Sequence, residues 1–190
     1  MADPDRLKSI GIEVHRPPLW LRGGHLQTVW PAVIAPRARV QVRRERWATP
    51  DGDFIEVDRI DSPAGAGSPL VVLFHGLEGS SDSPYARSLM AQVAARGWRG
   101  AVPHFRGCGG ELNLMPRAYH SGDSDEIDWI LRRFAAESPD SASPLFAAGV
   151  SLGGNALLKW LGERQSDASS VRAAAAVCAP QELQAGAEAL

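Results

Sequence analysis

The sequence predicts an α/β protein with a mainly parallel sheet and helices on both of its faces. Three observations carry that expectation. Leu70-Val71-Val72-Leu73-Phe74 is a continuous apolar run, as a strand buried on both faces requires. Amphipathic stretches with helical spacing alternate with such runs, which is the pattern of strand–helix units closing a parallel sheet. Finally, Gly149-Val150-Ser151-Leu152-Gly153 joins the apolar run ending at Ala148 directly to the apolar stretch from Ala156 to Leu161. That reads as strand, very tight turn and helix.

Residues 1–36 read as an irregular arm packed on the domain. Pro17-Pro18, Gly23-Gly24, Pro31 and Pro36 forbid long regular elements there, while Trp20, Leu21, Leu26, Val29 and Trp30 are apolar enough to dock. The core domain then occupies residues 37–190. Val40 to Trp47 and Phe54 to Arg59 alternate apolar and charged residues about Asp51-Gly52, an antiparallel hairpin signature. After the 70–74 strand, Ser83-Pro84 supplies an N-cap with proline at the first helical position, and Gly97 stops that helix.

Trp98 to Pro103 is a short strand. Phe105-Arg106-Gly107-Cys108-Gly109-Gly110-Glu111 follows, with three glycines in four positions. Such a cluster demands unusual backbone angles or close backbone approach. Residues 111 to 122 form a long loop. Ser124 is the expected cap of the next helix, where Ile127, Ile130, Leu131 and Phe134 fall at i, i+3, i+4 and i+7. Beyond the serine turn and its helix, Ala173 to Ala179 is helical by propensity alone. It follows a helix-ending loop and is stopped by Pro180, so a buried strand is the better reading.

Composition narrows the function. A net charge of −2 gives no sign of nucleic-acid binding. The two cysteines, Cys108 and Cys178, form neither a disulfide framework nor a zinc motif, which favours a reducing, cytoplasmic setting. No apolar run approaches the roughly 20 residues that span a bilayer. The N-terminus lacks a signal-peptide layout.

The serine turn carries the chemistry. In a G-x-S-x-G nucleophile elbow, glycines at 149 and 153 remove the β-carbons that would clash as the chain reverses. Ser151 is then lifted to a helix N-terminus, where free N–H groups favour developing negative charge. An oxyanion formed on attack needs two N–H donors. One is that of the residue after the nucleophile, Leu152, and the best second candidate is Leu77, in the loop opened by Gly76 after the third strand.

Four motifs in this order resemble one family: His75-Gly76-Leu77-Glu78-Gly79-Ser80, Phe105 to Glu111, Tyr119-His120-Ser121-Gly122 and Gly149 to Asn155, preceded by Gly24-His25-Leu26-Gln27-Thr28. Together they resemble the YheT-like α/β-fold hydrolases from about residue 17 to the C-terminus. The resemblance implies the α/β-hydrolase fold, a charge-relay nucleophile at Ser151, oxyanion-hole amides at Leu77 and Leu152, and no metal or organic cofactor. It implies small-molecule substrates, short- to medium-chain acyl esters with lipid-derived ones among them.

The chain departs from that pattern in one respect. An acid and a histidine should follow the serine, yet all five histidines, at 15, 25, 75, 104 and 120, precede it. Asp167 comes too early to be the acid. The expectation is therefore an N-terminal portion of a longer enzyme, cut after the sixth strand, inactive alone and exposing an apolar sheet edge. His75, His104 and His120 are better read as loop histidines than as substitute bases. His104, His120, Asp123 and Cys108 match no metal spacing. A non-catalytic binding protein of the same fold and an acyltransferase using the same serine are the competing readings.

Overall fold

The computed structural model describes residues 16–34, 38–137 and 143–188. Two compact units divide the chain, Met1–Pro36 and Arg37–Leu190. In the first, the prolines and glycines limit elements to short ones without abolishing them. A single 3₁₀ turn covers Leu19–Leu21, α1 spans Gly24–Val29, and a π turn covers Trp30–Ile34. Trp20 meets Trp30 edge to face at 4.9 Å between ring centroids.

The second unit is built on a six-stranded sheet of order β1-β2-β4-β3-β5-β6. Its strands are β1 (Arg43–Ala48), β2 (Phe54–Ile60), β3 (Leu70–Phe74), β4 (Arg99–Pro103), β5 (Leu145–Val150) and β6 (Val171–Val177). The β1–β2 hairpin pairs Ala48 with Phe54 and Arg43 with Arg59. Gly52 turns it at φ +82, a value glycine adopts without a Cβ penalty, and donates its N–H to the Thr49 carbonyl at 3.1 Å. β2 meets β4 antiparallel; β4, β3, β5 and β6 run parallel to one another.

Helices α2 (Pro84–Ala95), α3 (Ser124–Ala136) and α4 (Leu152–Arg164) connect the parallel strands, and α5 (Leu183–Glu188) follows β6. Alternation along β3 assigns the faces. Leu70, Val72 and Phe74 join Ile127, Ile130, Leu131 and Phe134 of α3 and Leu157 and Trp160 of α4 in one cluster. Val71 and Leu73 join Ala86, Met90 and Val93 of α2 in the other. Helices therefore lie on both faces of the sheet. At about 25 cal/mol per Å² of apolar surface withdrawn from water, these two clusters are the dominant stabilising term.

Helix ends show where tertiary partners overrule local signals. α2 stops in a Schellman motif: Gly97 at φ +67 donates to Ala94 (2.9 Å) and Trp98 donates to Val93 (3.1 Å). Ser83 occupies the N-cap position of α2, but its hydroxyl accepts the Ser80 N–H at 3.1 Å rather than capping the helix. Asp123, not Ser124, is the N-cap of α3, and its carboxylate pairs with Arg117 at 2.7 Å. Ser124 lies inside the first turn and accepts from Lys159 Nζ at 3.2 Å.

β6 forms where a strand is expected but is not buried. Its residues are exposed apart from half-buried Val171. It pairs with β5 alone among the described residues, and although α4 approaches it, its side chains stay in water.

Candidate active site

Ser151 stands between the last residue of β5 and the first of α4, at φ +52 and ψ −117. A non-glycine residue there is strained by about 1–3 kcal/mol and persists only where its surroundings over-determine it. Three contacts do so. The Ser151 N–H donates to the Val177 carbonyl of β6 at 2.9 Å, and the Ser151 carbonyl accepts the Asn155 N–H at 2.9 Å. The third is steric. A β-carbon on Gly149 would sit 2.6 Å from the Gly153 carbonyl oxygen and 2.7 Å from the Gly154 Cα. One on Gly153 would be driven into β3, overlapping the His75 carbonyl oxygen and reaching 2.5 Å from that of Phe74. Gly149 thus answers to the corner itself, whereas Gly153 answers to the neighbouring strand.

The loop after β3 lies directly against the serine. A β-carbon on Gly76 would come within 3.3 Å of the Ser151 Cβ. The Gly79 N–H donates to the Gly76 carbonyl at 2.9 Å, closing a turn with Leu77 and Glu78 at its corners. Glu78 takes φ +49, the sign required at the third position of a type II turn. Leu77 projects its side chain to solvent. Leu152 is the first residue of α4, so its N–H has no carbonyl one turn back to bond. Neither amide has a hydrogen-bond partner among the described residues.

His75 is fully buried at the root of this loop. Its Nε2 accepts the Phe105 N–H at 3.0 Å, so Nδ1 carries the proton and donates to the Gly76 carbonyl at 2.7 Å. Burial pushes its pKa down to about 4, against the pull of the Gly76 carbonyl and with help from neighbouring His104. It is a neutral strut between two loops. His104, also buried, has Nε2 3.3 Å from the Asp58 carboxylate. Burial alone would raise the Asp58 pKa, but Arg44, His104 and Ser81 hold it well below the usual carboxylate range. His120 is exposed, with Nδ1 2.8 Å from the Ser121 carbonyl.

The glycine-rich loop after β4 is fixed by Arg106. Its buried guanidinium reaches Asp51 (2.8 Å), Asp53 (3.2 Å) and Glu126 (3.0 Å). Asp53 also accepts the N–H groups of Leu114 (2.8 Å) and Met115 (3.2 Å). One cation therefore ties the hairpin turn, the 105–117 loop and α3 together. Gly109 lets that loop lie on Glu56, because a β-carbon there would overlap its carboxylate.

Sequence reasoning missed the two tyrosines. Tyr85 accepts the Gly76 N–H at 2.9 Å, and Tyr119 accepts the Glu78 N–H at 2.9 Å. Tyr119 lay in a quoted motif, which was the available signal; Tyr85 gave none beyond its place in the first turn of α2. Among the described residues no cluster of three metal-ligating side chains occurs, and no helix is long and apolar enough to cross a membrane. A cavity of about 490 Å³ lined by Leu70, Arg99, Leu145 and Arg172 opens at the beginnings of the parallel strands, the end opposite Ser151.

A sheet of this strand order, with a strained serine corner at the carboxyl ends of its parallel strands, defines an α/β hydrolase. The chain belongs to the alpha/beta hydrolase fold family, whose model matches residues 69–189, and within that family it is YheT-like. It is 43% identical over 162 residues to "Putative esterase YheT" of Escherichia coli strain K12, covering 85% of this chain and 47% of that protein. It is 31% identical over 157 residues to human "Phospholipase ABHD3", covering 80% of this chain and 38% of that one. The chain thus spans about half the length, or less, of these curated relatives. Among solved structures, Pyrococcus furiosus esterase Pf2001 matches with a TM-score of 0.59 at 17% identity, covering 76% of this chain and 53% of that one. That likeness concerns the fold.

Proposed function

We propose that the protein is a serine carboxylic ester hydrolase acting on short- to medium-chain acyl esters, with Ser151 as nucleophile. The observation that carries this reading is the strained Ser151 backbone with the Gly76 loop pressed against its Cβ. Ser151 Oγ attacks the acyl carbon, and its proton passes through a base to the departing alkoxide as the ester C–O bond breaks. Water then attacks the acyl-enzyme by the same route in reverse. The Leu77 and Leu152 amides receive the negative charge that develops on the carbonyl oxygen at each step. This requires no metal or organic cofactor.

None of His75, His104 and His120 suits the role of base. His75 has both ring nitrogens engaged with backbone, His104 is buried with its Nε2 between the Ser81 N–H and Asp58, and His120 turns to its own loop. The reading assigns the base to another histidine. The test is fluorophosphonate labelling and p-nitrophenyl butyrate hydrolysis by the full-length protein, each repeated with Ser151→Ala. Loss of both signals in the variant is expected, hydrolysis falling by about 10⁴-fold or more. Undiminished labelling in Ser151→Ala would overturn the assignment of the nucleophile. A wild-type protein that neither labels nor hydrolyses would favour a binding role for the fold.

A further inference from the structure

The loop between β3 and α2 is braced by both tyrosines of the chain. They come from different parts of the chain. Tyr85 rises from the first turn of α2, and its hydroxyl accepts the Gly76 N–H. Its fit depends on the loop glycines: a β-carbon on Gly79 would lie 2.8 Å from the Tyr85 hydroxyl. Tyr119 comes from the long loop after β4. Its ring stacks on Phe105 at 5.4 Å between centroids and only 8° from parallel, and its hydroxyl accepts the Glu78 N–H. Phe105 is in turn fixed by the His75 ring, 4.8 Å away, and by its N–H bond to His75 Nε2.

The consequence is a pattern along three consecutive peptides. The N–H groups of Gly76 and Glu78 are each taken by a tyrosine oxygen, while the Leu77 N–H between them has no partner among the described residues. The bracing also holds Glu78 at positive φ, which a glutamate adopts unwillingly. A free loop of this composition has no reason to present one amide and hide its two neighbours.

We propose that Tyr85 and Tyr119 are positioning residues that preset the His75–Gly79 loop, engaging the amides on either side of Leu77 so that the Leu77 N–H alone faces the space beside Ser151. This rests on the proposed serine hydrolase reading, in which that N–H receives the developing charge. It explains why an aromatic hydroxyl is needed at both places. Each must reach a backbone amide from a separate element, which a short hydroxyl side chain cannot do. It also gives the Tyr119 loop a task at the site without contact with the substrate.

Two measurements test it. In the full-length protein, p-nitrophenyl butyrate hydrolysis is compared for wild type, Ser151→Ala, Tyr85→Phe and Tyr119→Phe. Each Phe variant keeps the ring and loses the hydroxyl, which at Tyr119 also meets the Cys108 thiol. We expect kcat to fall by about 10- to 100-fold in each, with KM within about twofold, because the loss concerns charge present only in the transition state. Ser151-dependent hydrolysis with wild-type kcat in both Phe variants, or a change confined to KM, overturns the proposal. Activity that survives Ser151→Ala overturns the hydrolase reading instead, and the two failures are thereby separate. Amide hydrogen exchange on the wild-type protein is independent of activity and of how the variants fold. Protection at Gly76 and Glu78 with rapid exchange at Leu77 supports the proposal; equal protection at all three overturns it.

Discussion

β3 and β6 flank the same strand, β5, and both pair with it in parallel. Every residue of β3 is buried, and nearly every residue of β6 is exposed. Pairing therefore makes a strand, whereas burial needs layers. Ala173 to Ala176 prefer helix intrinsically, yet they lie extended because β5 offers a ladder of unpaired groups. β3 has α2 on one face and α3 with α4 on the other, and its Val, Leu and Phe residues fill both clusters. The same contrast governs the serine corner. On the β3 side it is held by close backbone packing, with Gly153 against the carbonyls of Phe74 and His75. On the β6 side it is held by polar contacts, the Ser151 N–H to Val177 and the Asn155 side chain to Pro180.

If that contrast is right, the β3 side is the one that cannot give. Gly153→Ala drives a β-carbon into two carbonyl oxygens of a fully buried strand end. Backbone flanked by two packed layers does not retreat by the ångström required. The expected cost exceeds about 3 kcal/mol, together with displacement of Ser151. Urea unfolding and fluorophosphonate labelling check it: a variant with wild-type midpoint and labelling would mean that β3 yields as easily as an edge.

The root of the same loop makes the second test, through pH. Burial lowers the His75 pKa to about 4 in the folded protein, against the ordinary value of 6.5. The unfolded chain therefore binds a proton that the folded one refuses. Stability from this group is full above pH 6.5 and is lost as pH falls toward 4, by up to about 3 kcal/mol. The depressed carboxylates, Asp51 at about 2 among them, lose their contribution only at still lower pH. Unfolding midpoints between pH 7 and 4.5, with the His75 ring followed by NMR, separate the two windows. A ring that protonates near pH 6.5 would mean that the end of β3 is open to water.

Much of this layout can be read from residue order. The run at 70–74, the hairpin about Asp51-Gly52 and the α3 stripe are local patterns, and local patterns survive folding. The serine corner is also legible, since glycines two residues either side are a local steric demand. What stays hidden depends on distant partners. Gly153 and Gly149 read alike, but the chain that Gly153 abuts, at His75 and Phe74, lies 78 and 79 residues earlier. Asp123 replaces Ser124 as the N-cap of α3, and Ser83 leaves its cap unmade, because their side chains find other partners. An alanine run has no periodicity, so nothing in Ala173 to Ala176 distinguishes a buried strand from an edge. The bonds of Tyr85 and Tyr119 to a loop 9 and 41 residues away leave no local trace.

The β6 side supplies the smallest effect and the sharpest control. Asn155 lies in the first turn of α4, and its Nδ2 donates to the Pro180 carbonyl at 2.8 Å, tying the helix to the segment after β6. Its Oδ1 is buried without a partner among the described residues, so the side chain's value comes from one bond. Asn155→Ala removes that bond at a half-buried position and leaves the Pro180 carbonyl to water. The expected cost is about 1 kcal/mol, with the fold and the Ser151 conformation retained. Thermal melting of the variant beside Gly153→Ala makes the comparison direct. An Asn155→Ala loss as large as that of Gly153→Ala would mean that the corner depends on β6 as much as on β3. In that case the exposed strand would be a structural support, and the distinction drawn between the two neighbours of β5 would fail.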